Sequence, residues 1–426
     1  ITNPLHITAI ALEGITDTIK QFWQAIKNQM GKFWNQTKSW YLKTFDVSNK
    51  IISRAKALEE KAGQLSTTAT EKSFEYGGAN LIKFNNDVKN TVNVIKGLKN
   101  VRQLLDEVLL QLNTINQNDK SEKVLTISRN KLTAMRSAAT KNAAGANYSP
   151  AEYQELLQAL TDSIEPESSI IKMATIDVKD TKMLEKLGVS DNQNVAVKST
   201  DVLSGDMRLY RCFDPNILTV KGNSVNISQF TEHLKNKRFV LTDAVAQPRT
   251  MDDNVSVPTL NASQIVEIAG TCGEVGEIIS KYKQSFEARD KYITKLVKGF
   301  DQIIKDLDGT DVQHSTAQSQ GSDRQKSHQA QSNFINAQRN QNKPQQPTQQ
   351  PQQAPATESA DSSTPVPAPE NNANNSVDKD IRRLANTMMA NFKKSVSISG
   401  AVITHSVKVA NAFLLYGERS LAQYGG

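Results

Sequence analysis

Cysteine is nearly absent from this chain: Cys212 and Cys272 are the two among 426 residues. That excludes a disulfide framework and points to a reduced compartment or simple disuse. Aromatic residues make up 6% and hydrophobic residues 38%, so a chain with room for two or three domains has a modest core, as helical bundles do. No stretch reaches the roughly 18 to 20 uninterrupted apolar residues needed to cross a bilayer. The nearest, Ala401 to Tyr416, contains His405 and Lys408, and no membrane span is expected. His6, His233, His314, His328 and His405 are scattered with no i, i+4 pair, so neither a metal site nor a cofactor is expected. Phosphate-binding, dinucleotide-binding and nucleophile-elbow motifs are missing too. Two Ser-x-x-Lys matches, Ser128 to Lys131 and Ser280 to Lys283, lack the companion motifs that would make them catalytic. The carboxylates sit beside lysines as solvated faces do, and no enzyme is expected.

What is present is pattern. Ile265, Ile268, Cys272, Val275, Ile279, Tyr282, Phe286, Ile293, Leu296, Phe300, Ile303 and Leu307 fall alternately three and four apart, with Arg289 filling one gap. Such a stripe predicts a long helix packed along its whole length against another helix, within the chain or between chains. Asn261 as N-cap, Gln264 three residues on, Leu260 stapled to Ile265, and Gly309 beyond the last stripe residue mark its ends. Arg289 reads either as a register-setting polar residue or as a snorkelling arginine at a loose crossing.

A second amphipathic helix is predicted from Gly14 to about Phe45. It carries all three tryptophans, Trp23, Trp34 and Trp40, together with Phe22 and Phe33, and between Thr18 and Phe45 it has Lys20, Lys27, Lys32, Lys38 and Lys43 without one acid. A basic, aromatic helix can dock on a protein groove, lie on an anionic membrane or approach nucleic acid. The residues Phe22, Trp23, Phe33, Trp34, Trp40, Lys27, Lys32, Lys38 and Arg289 are therefore the candidate interaction residues. A separate helix is expected over Val47 to Gly63. Another, from about Thr70 to Asn113 with an interruption allowed at Gly77 and Gly78, carries the stripe Leu81, Phe84, Val88, Ile95, Leu98, Leu105, Leu109 and Leu112, a natural partner for the heptad helix. Shorter helices are expected over Ser121 to Ala139 and Ala151 to Ser163.

Between about Ser168 and Val257 the texture changes to alternation, β-branched residues and turn signals. Strands are expected at Val195 to Val202, Met207 to Cys212, Ile217 to Val220, Val225 to Ile227 and Arg238 to Thr242, with a short helix at Ile227 to Leu234. From Asp311 to Ser376 the chain is dominated by Gln, Pro, Ser, Asn and Ala, with fourteen glutamines between Gln313 and Gln353. Such a composition predicts a disordered linker. Helical spacing returns over Asp378 to Tyr424, with a break expected near Gly400 and docking onto the main bundle or a neighbour. The net charge of +7 favours anionic partners without choosing among them.

The fold class expected is mainly α: an elongated helical bundle with long heptad-patterned helices and a small antiparallel β insertion, plus the disordered Gln/Pro-rich linker. The divisions are residues 1–63, N-terminal amphipathic helices; 64–165, a bundle segment; 166–258, a small α+β insertion; 259–310, the heptad helix; 311–376, the linker; and 377–426, a C-terminal helical segment.

Three strings, IISRAKALEEKA from Ile51, QIVEIAGTCGEVGEIISKYKQSF from Gln264 and AFLLYGERSLAQY from Ala412, resemble the internal head proteins of phiKZ-like giant phages. The resemblance implies a non-enzymatic virion structural protein inside the capsid, packed with and co-delivered with the genome. The implied partners are other capsid or internal head proteins, and packaged DNA through basic helix faces; self-association and a membrane surface stay open. It also implies maturation by a head protease cutting after a small residue, any residue and Glu, which would account for a chain beginning at Ile1. Internal matches to that pattern occur at Ser73 to Glu75 and Ser285 to Glu287, both in expected helices. The alternative is a secreted or injected helical effector acting at a membrane surface through Gly14 to Phe45.

Overall fold

The structure, a computed structural model, describes residues 4–65, 69–118, 121–140, 151–152, 154–156, 173–189, 195–214, 231, 234, 237–248, 251, 255–309 and 372–424. The helices are α1 (Pro4–Gly63), α2 (Ala79–Ile82), α3 (Thr91–Asn118), α4 (Ser121–Thr140), α5 (Thr181–Lys186), α6 (Ala262–Gly309) and α7 (Asn372–Ala422). The strands are β1 (Ser73–Tyr76), β2 (Ala174–Ile176), β3 (Ala196–Ser199), β4 (Met207–Phe213), β5 (Arg238–Asp243) and β6 (Val255–Pro258). The expected class, mainly α with a small antiparallel sheet, is the class observed.

The heptad helix is α6, and its start is capped by the expected pair. Asn261 Oδ1 accepts from the Gln264 N–H at 2.8 Å while Gln264 Oε1 accepts from the Asn261 N–H at 3.0 Å, a reciprocal capping box. Every apolar residue of the stripe from Ile265 to Leu307 is buried. It packs against α1 and α7, and α3, with Ile95, Leu98 and Leu105 of the expected stripe buried, lies beside it. Gly276 shows how close α1 comes, because a Cβ there would lie 2.7 Å from Ile52 Cγ1 and 2.9 Å from the Ser48 carbonyl oxygen. On the α7 side, Cys272 Sγ donates to the Ala410 carbonyl at 3.5 Å. The segment expected as helix from Thr70, with an interruption allowed at Gly77 and Gly78, does break at those glycines, but what precedes them is a strand, and a single turn and a bridge follow before α3 begins at Thr91. The helix α3 flanks the start of α6 through Lys99 with Glu267 (2.5 Å) and Arg102 with Glu274 (2.7 Å).

Two further expectations of breaks are corrected. The helix α1 runs without interruption through Asp46 and Val47, because Phe45 and Ser48 are both buried there and the apolar face continues in phase to Ile51 and Ala55. Likewise α7 passes through Gly400 unbroken, where a Cβ would meet the Trp40 ring at 3.9 Å, an ordinary van der Waals contact. Residues 372–376, assigned to the linker, form the first turn of α7; the rest of the linker, 311–371, lies outside the described residues. So do the strands expected at Ile217 and Val225. Of the helices expected at Ile227 to Leu234 and Ala151 to Ser163, the described residues are helical.

The β structure divides into two sheets. One is an antiparallel four-stranded sheet in the order β2, β3, β4, β5; the other is a ribbon of β1 with β6, which sequence reading did not anticipate. The ribbon clasps the end of α7. Tyr76 stacks on Tyr416 at 5.5 Å and donates to the Ala412 carbonyl (2.6 Å), while Tyr416 donates to the Pro258 carbonyl (2.6 Å). Burial pushes both phenols well above their usual range. On α1, Arg54 forks onto Glu418 at 3.1 and 3.0 Å, a bidentate pair that fixes α7's orientation.

A buried polar knot ties the sheet to the helices. The turn before β4 has Gly205 at φ +78° and Asp206 at φ +55°, the left-handed region. Asp206 pairs with Lys83 at 3.8 Å, with side chains 7% and 5% exposed, and accepts from the Asn86 N–H at 3.0 Å. The Ser204 N–H reaches the Gly97 carbonyl of α3, and His405 of α7 lies against the same turn. Burial, reinforced by the Lys408 charge, lowers the His405 imidazole to about 4 against an upward pull from the Ser204 backbone.

The imidazole is thus neutral in the fold at neutral pH, whereas the unfolded chain takes up a proton below about pH 6.5. Stability should fall as pH drops from about 6.5 to about 4, by on the order of 3 kcal/mol. Urea unfolding at stepped pH checks this, and His405→Gln should flatten that part of the profile. At the α1–α6 crossing, Gly276→Val should cost about 1–3 kcal/mol. By contrast Gly270→Ala, where a Cβ meets nothing within 4 Å, should gain about 0.5–1 kcal/mol, both read by thermal denaturation.

Candidate functional site

Around Phe286 the aromatic residues of α1 converge on α6 and α7. Trp34 stacks on Phe286 at 5.2 Å, Tyr41 approaches it at 4.6 Å and Phe45 at 5.8 Å. Further along, Trp23 is 0% exposed against Phe300 at 5.6 Å. Phe33 meets Phe392 of α7 edge to face at 5.7 Å, and Trp40 sits edge to face on Tyr41 at 4.8 Å. Phe22, half-buried, is covered by the Arg382 guanidinium at 5.2 Å. The aromatic candidates are therefore packed inside the chain.

The basic candidates separate into two groups. Lys27 pairs with Asp301 and Lys38 with Asp290, both on α6. Asp290 also accepts from the Trp34 indole N–H at 2.7 Å. Burial pushes the Asp290 carboxyl up, but the hydrogen bonds from Lys38 and Trp34 outweigh it and hold the group below the usual carboxylate range. Arg289 is 6% exposed, and its guanidinium lies over Tyr292 at 5.3 Å and Phe392 at 5.5 Å. It is thus a cation held on two rings at the α6–α7 crossing. Lys32 lies on the opposite side of α1 and is exposed.

That outer side is a mostly polar stripe, interrupted by the exposed Leu42. Asn28, Gln29, Lys32, Asn35, Gln36, Ser39, Lys43, Asn49, Lys50, Ser53 and Lys56 are all exposed at helical spacing, with Asp46 as the one acid among them. From Asn28 to Lys56 the stripe extends about 42 Å at 1.5 Å per residue. Sequence reading singled out Lys32 but not the stripe, because the amides carry no charge signal and the helix was divided at Asp46.

Elsewhere the described residues bring no three His, Cys, Asp or Glu side chains together as a metal site. Both cysteines are buried as free thiols, pushed up by burial. Of the Ser-x-x-Lys pairs, Lys131 forms an ion pair with Glu152 at 2.7 Å. By length and composition, Lys379–Ala422 within α7 could cross a membrane, though half of its apolar window is buried.

Fold and faces together define a helical packing protein whose long helices bury their aromatic sides on one another and turn amides and lysines outward. The family model of phiKZ-like phage internal head proteins matches residues 2–349. The chain belongs to that family, which places it inside the virion head. The strings from Ile51 and Gln264 lie within the matched range; the string from Ala412 lies beyond it. No curated protein and no solved structure matches the chain.

Removing the Trp34 ring by Trp34→Ala should cost about 3–5 kcal/mol of stability. Asp290→Asn, which keeps an acceptor for the indole and loses only a partly exposed ion pair, should cost about 1 kcal/mol or less. Chemical denaturation of both variants, compared with wild type, reads the difference.

Proposed function

We propose that this internal head protein is packed in contact with the genome, with the outer stripe of α1 lying along DNA phosphates, and that it leaves the head with the DNA. The observation that carries the reading is the stripe's composition. Lys32, Lys43, Lys50 and Lys56 supply charge, while Asn, Gln and Ser side chains between them are the neutral donors that commonly meet phosphate oxygens. A straight helix presenting such groups over about 42 Å suits a sequence-independent, salt-sensitive contact. The stripe contains no built site for a base edge or a small molecule, and the reading includes no catalytic step.

The same composition fits association with other head proteins along acidic faces, with which a DNA contact is compatible. The membrane-effector alternative needs the aromatic face of α1 outward, whereas Trp23 and Trp34 are buried against α6. Processing by a head protease belongs to the same reading. The internal small-x-Glu matches lie in a paired strand, Ser73 to Glu75, and in α6, Ser285 to Glu287, where backbone is not free to enter a protease cleft.

Titration of the full chain with mixed-sequence duplex DNA should show binding that weakens steeply with salt. Replacing Lys32, Lys43, Lys50 and Lys56 by Gln should lower the slope of log K against log salt by about 3 to 4. Absence of binding by wild type at low salt sinks the proposal. Following a tagged chain through infection tests co-delivery: retention in emptied heads would count against it.

A further inference from the structure

The exposed side of α1 repeats every seven residues, in three lines. The middle line holds Ala25, Lys32, Ser39, Asp46 and Ser53. One flank holds Asn28, Asn35, Leu42 and Asn49, and the other Gln29, Gln36, Lys43 and Lys50; every one of these residues is exposed. A seven-residue repeat keeps such lines facing a second helix wound beside the first, yet no described element covers them. Leu42 is left 48% exposed there. Neither Lys32 nor Asp46 has an ion-pair partner among the described residues.

The stripe is complementary to itself. In a two-fold pair, residue i of one copy meets j of the other wherever j meets i, so placing Ser39 on the axis of an antiparallel pair fixes every other contact. In the middle line Lys32 then falls opposite Asp46 of the second copy and Ala25 opposite Ser53, which joins opposite charges and keeps the close approach small. On one flank Asn28 meets Asn49 and Asn35 covers the exposed Leu42. On the other, Gln29 meets Lys50 and Gln36 meets Lys43, so each ammonium faces an amide oxygen instead of another ammonium. No like-charged pair arises along the roughly 42 Å from Ala25 to Ser53. Shifting the axis by one heptad sets Lys32 or Asp46 against its own copy, and a parallel pair in register does both.

We propose that α1 pairs antiparallel with α1 of a second copy of this chain, with Ser39 on the two-fold axis and Lys32 joined to Asp46 at two symmetric points. The pairing goes beyond the genome contact and does not depend on it. The two are compatible: Lys43 and Lys50 of both copies fall on the same side of the seam, spread over about 33 Å, where a duplex can still reach them. Lys32 alone is drawn into an ion pair.

Sedimentation equilibrium of the full chain at low salt should show the mass rising from one chain toward two as concentration increases. Lys32→Asp alone and Asp46→Lys alone each oppose like charges at both symmetric points, and each should weaken pairing by about tenfold or more. Combined in one chain they restore opposite charges, and pairing should return to near the wild-type level. Ser39→Arg, at an exposed position on the axis, should abolish pairing without lowering the melting temperature. A wild type that stays monomeric at every concentration overturns the proposal. So does a double variant no stronger than the single ones, or a dimer that Ser39→Arg leaves intact. Duplex titration at concentrations where the chain is monomeric keeps the two readings apart: salt-dependent binding there leaves the genome contact standing whatever becomes of the pair, and pairing without any duplex binding removes the genome contact alone.

Discussion

Everything long in this protein depends on the burial of one aromatic seam. Phe286 of α6 is approached by Trp34, Tyr41 and Phe45 of α1, while Phe392 of α7 closes over Phe33, Trp34 and Arg289. A helix of 60 residues in a protein draws most of its stability from the tertiary packing of its apolar face, and large rings bury the most area per contact. The seam therefore decides which side of α1 faces inward. It also decides which side is left for a partner, because the residues between the aromatic positions must then be the polar ones.

Polar contacts refine what the seam permits. Asp290 receives both the Trp34 indole and Lys38, so it sets the rotation of α1 against α6 at the seam's centre. Arg54 does the same between α1 and α7 through its fork on Glu418, and the β1–β6 ribbon locks the far end of α7 with two tyrosine hydroxyls. These bonds lie partly shielded at the margins of an apolar interface, where a misplaced partner leaves a donor or acceptor unsatisfied. They specify register more than they add stability.

Periodicity made some of this readable in advance. The stripe from Ile265 to Leu307 and the capping box at Asn261 and Gln264 are local patterns, and both are found where their spacing puts them. The errors came where local chemistry was overruled by a neighbour distant in sequence. Ser73 to Tyr76 reads as helix in phase with Leu81 and Phe84, yet pairs with Val255 to Pro258, a partner about 180 residues away that no window contains. Gly400 reads as a break, yet α7 continues through it beside Trp40. The juxtaposition of Lys198 and Arg211 was invisible for the same reason: they lie on separate strands, and only register makes them neighbours. For the aromatic residues of α1, residue type was a sound guide to interaction but could not say that the partners belong to the same chain.

The helix α7 shows how family and fold divide the molecule differently. The family match ends at residue 349, before α7 begins, yet α7 supplies Phe392 to the seam, Ser399 to the Tyr41 hydroxyl at 2.7 Å and Ala410 to Cys272. An element whose contacts run from Tyr41 to the ribbon is structural wherever it is found. The stripes on α1 and α6 that it covers would otherwise expose rings of the kind that drive association. Within this chain, then, the inward faces of α1 and α6 are closed by a helix joined to them through residues 310–371. The lysines left outward by that closure stand on the outer side of α1.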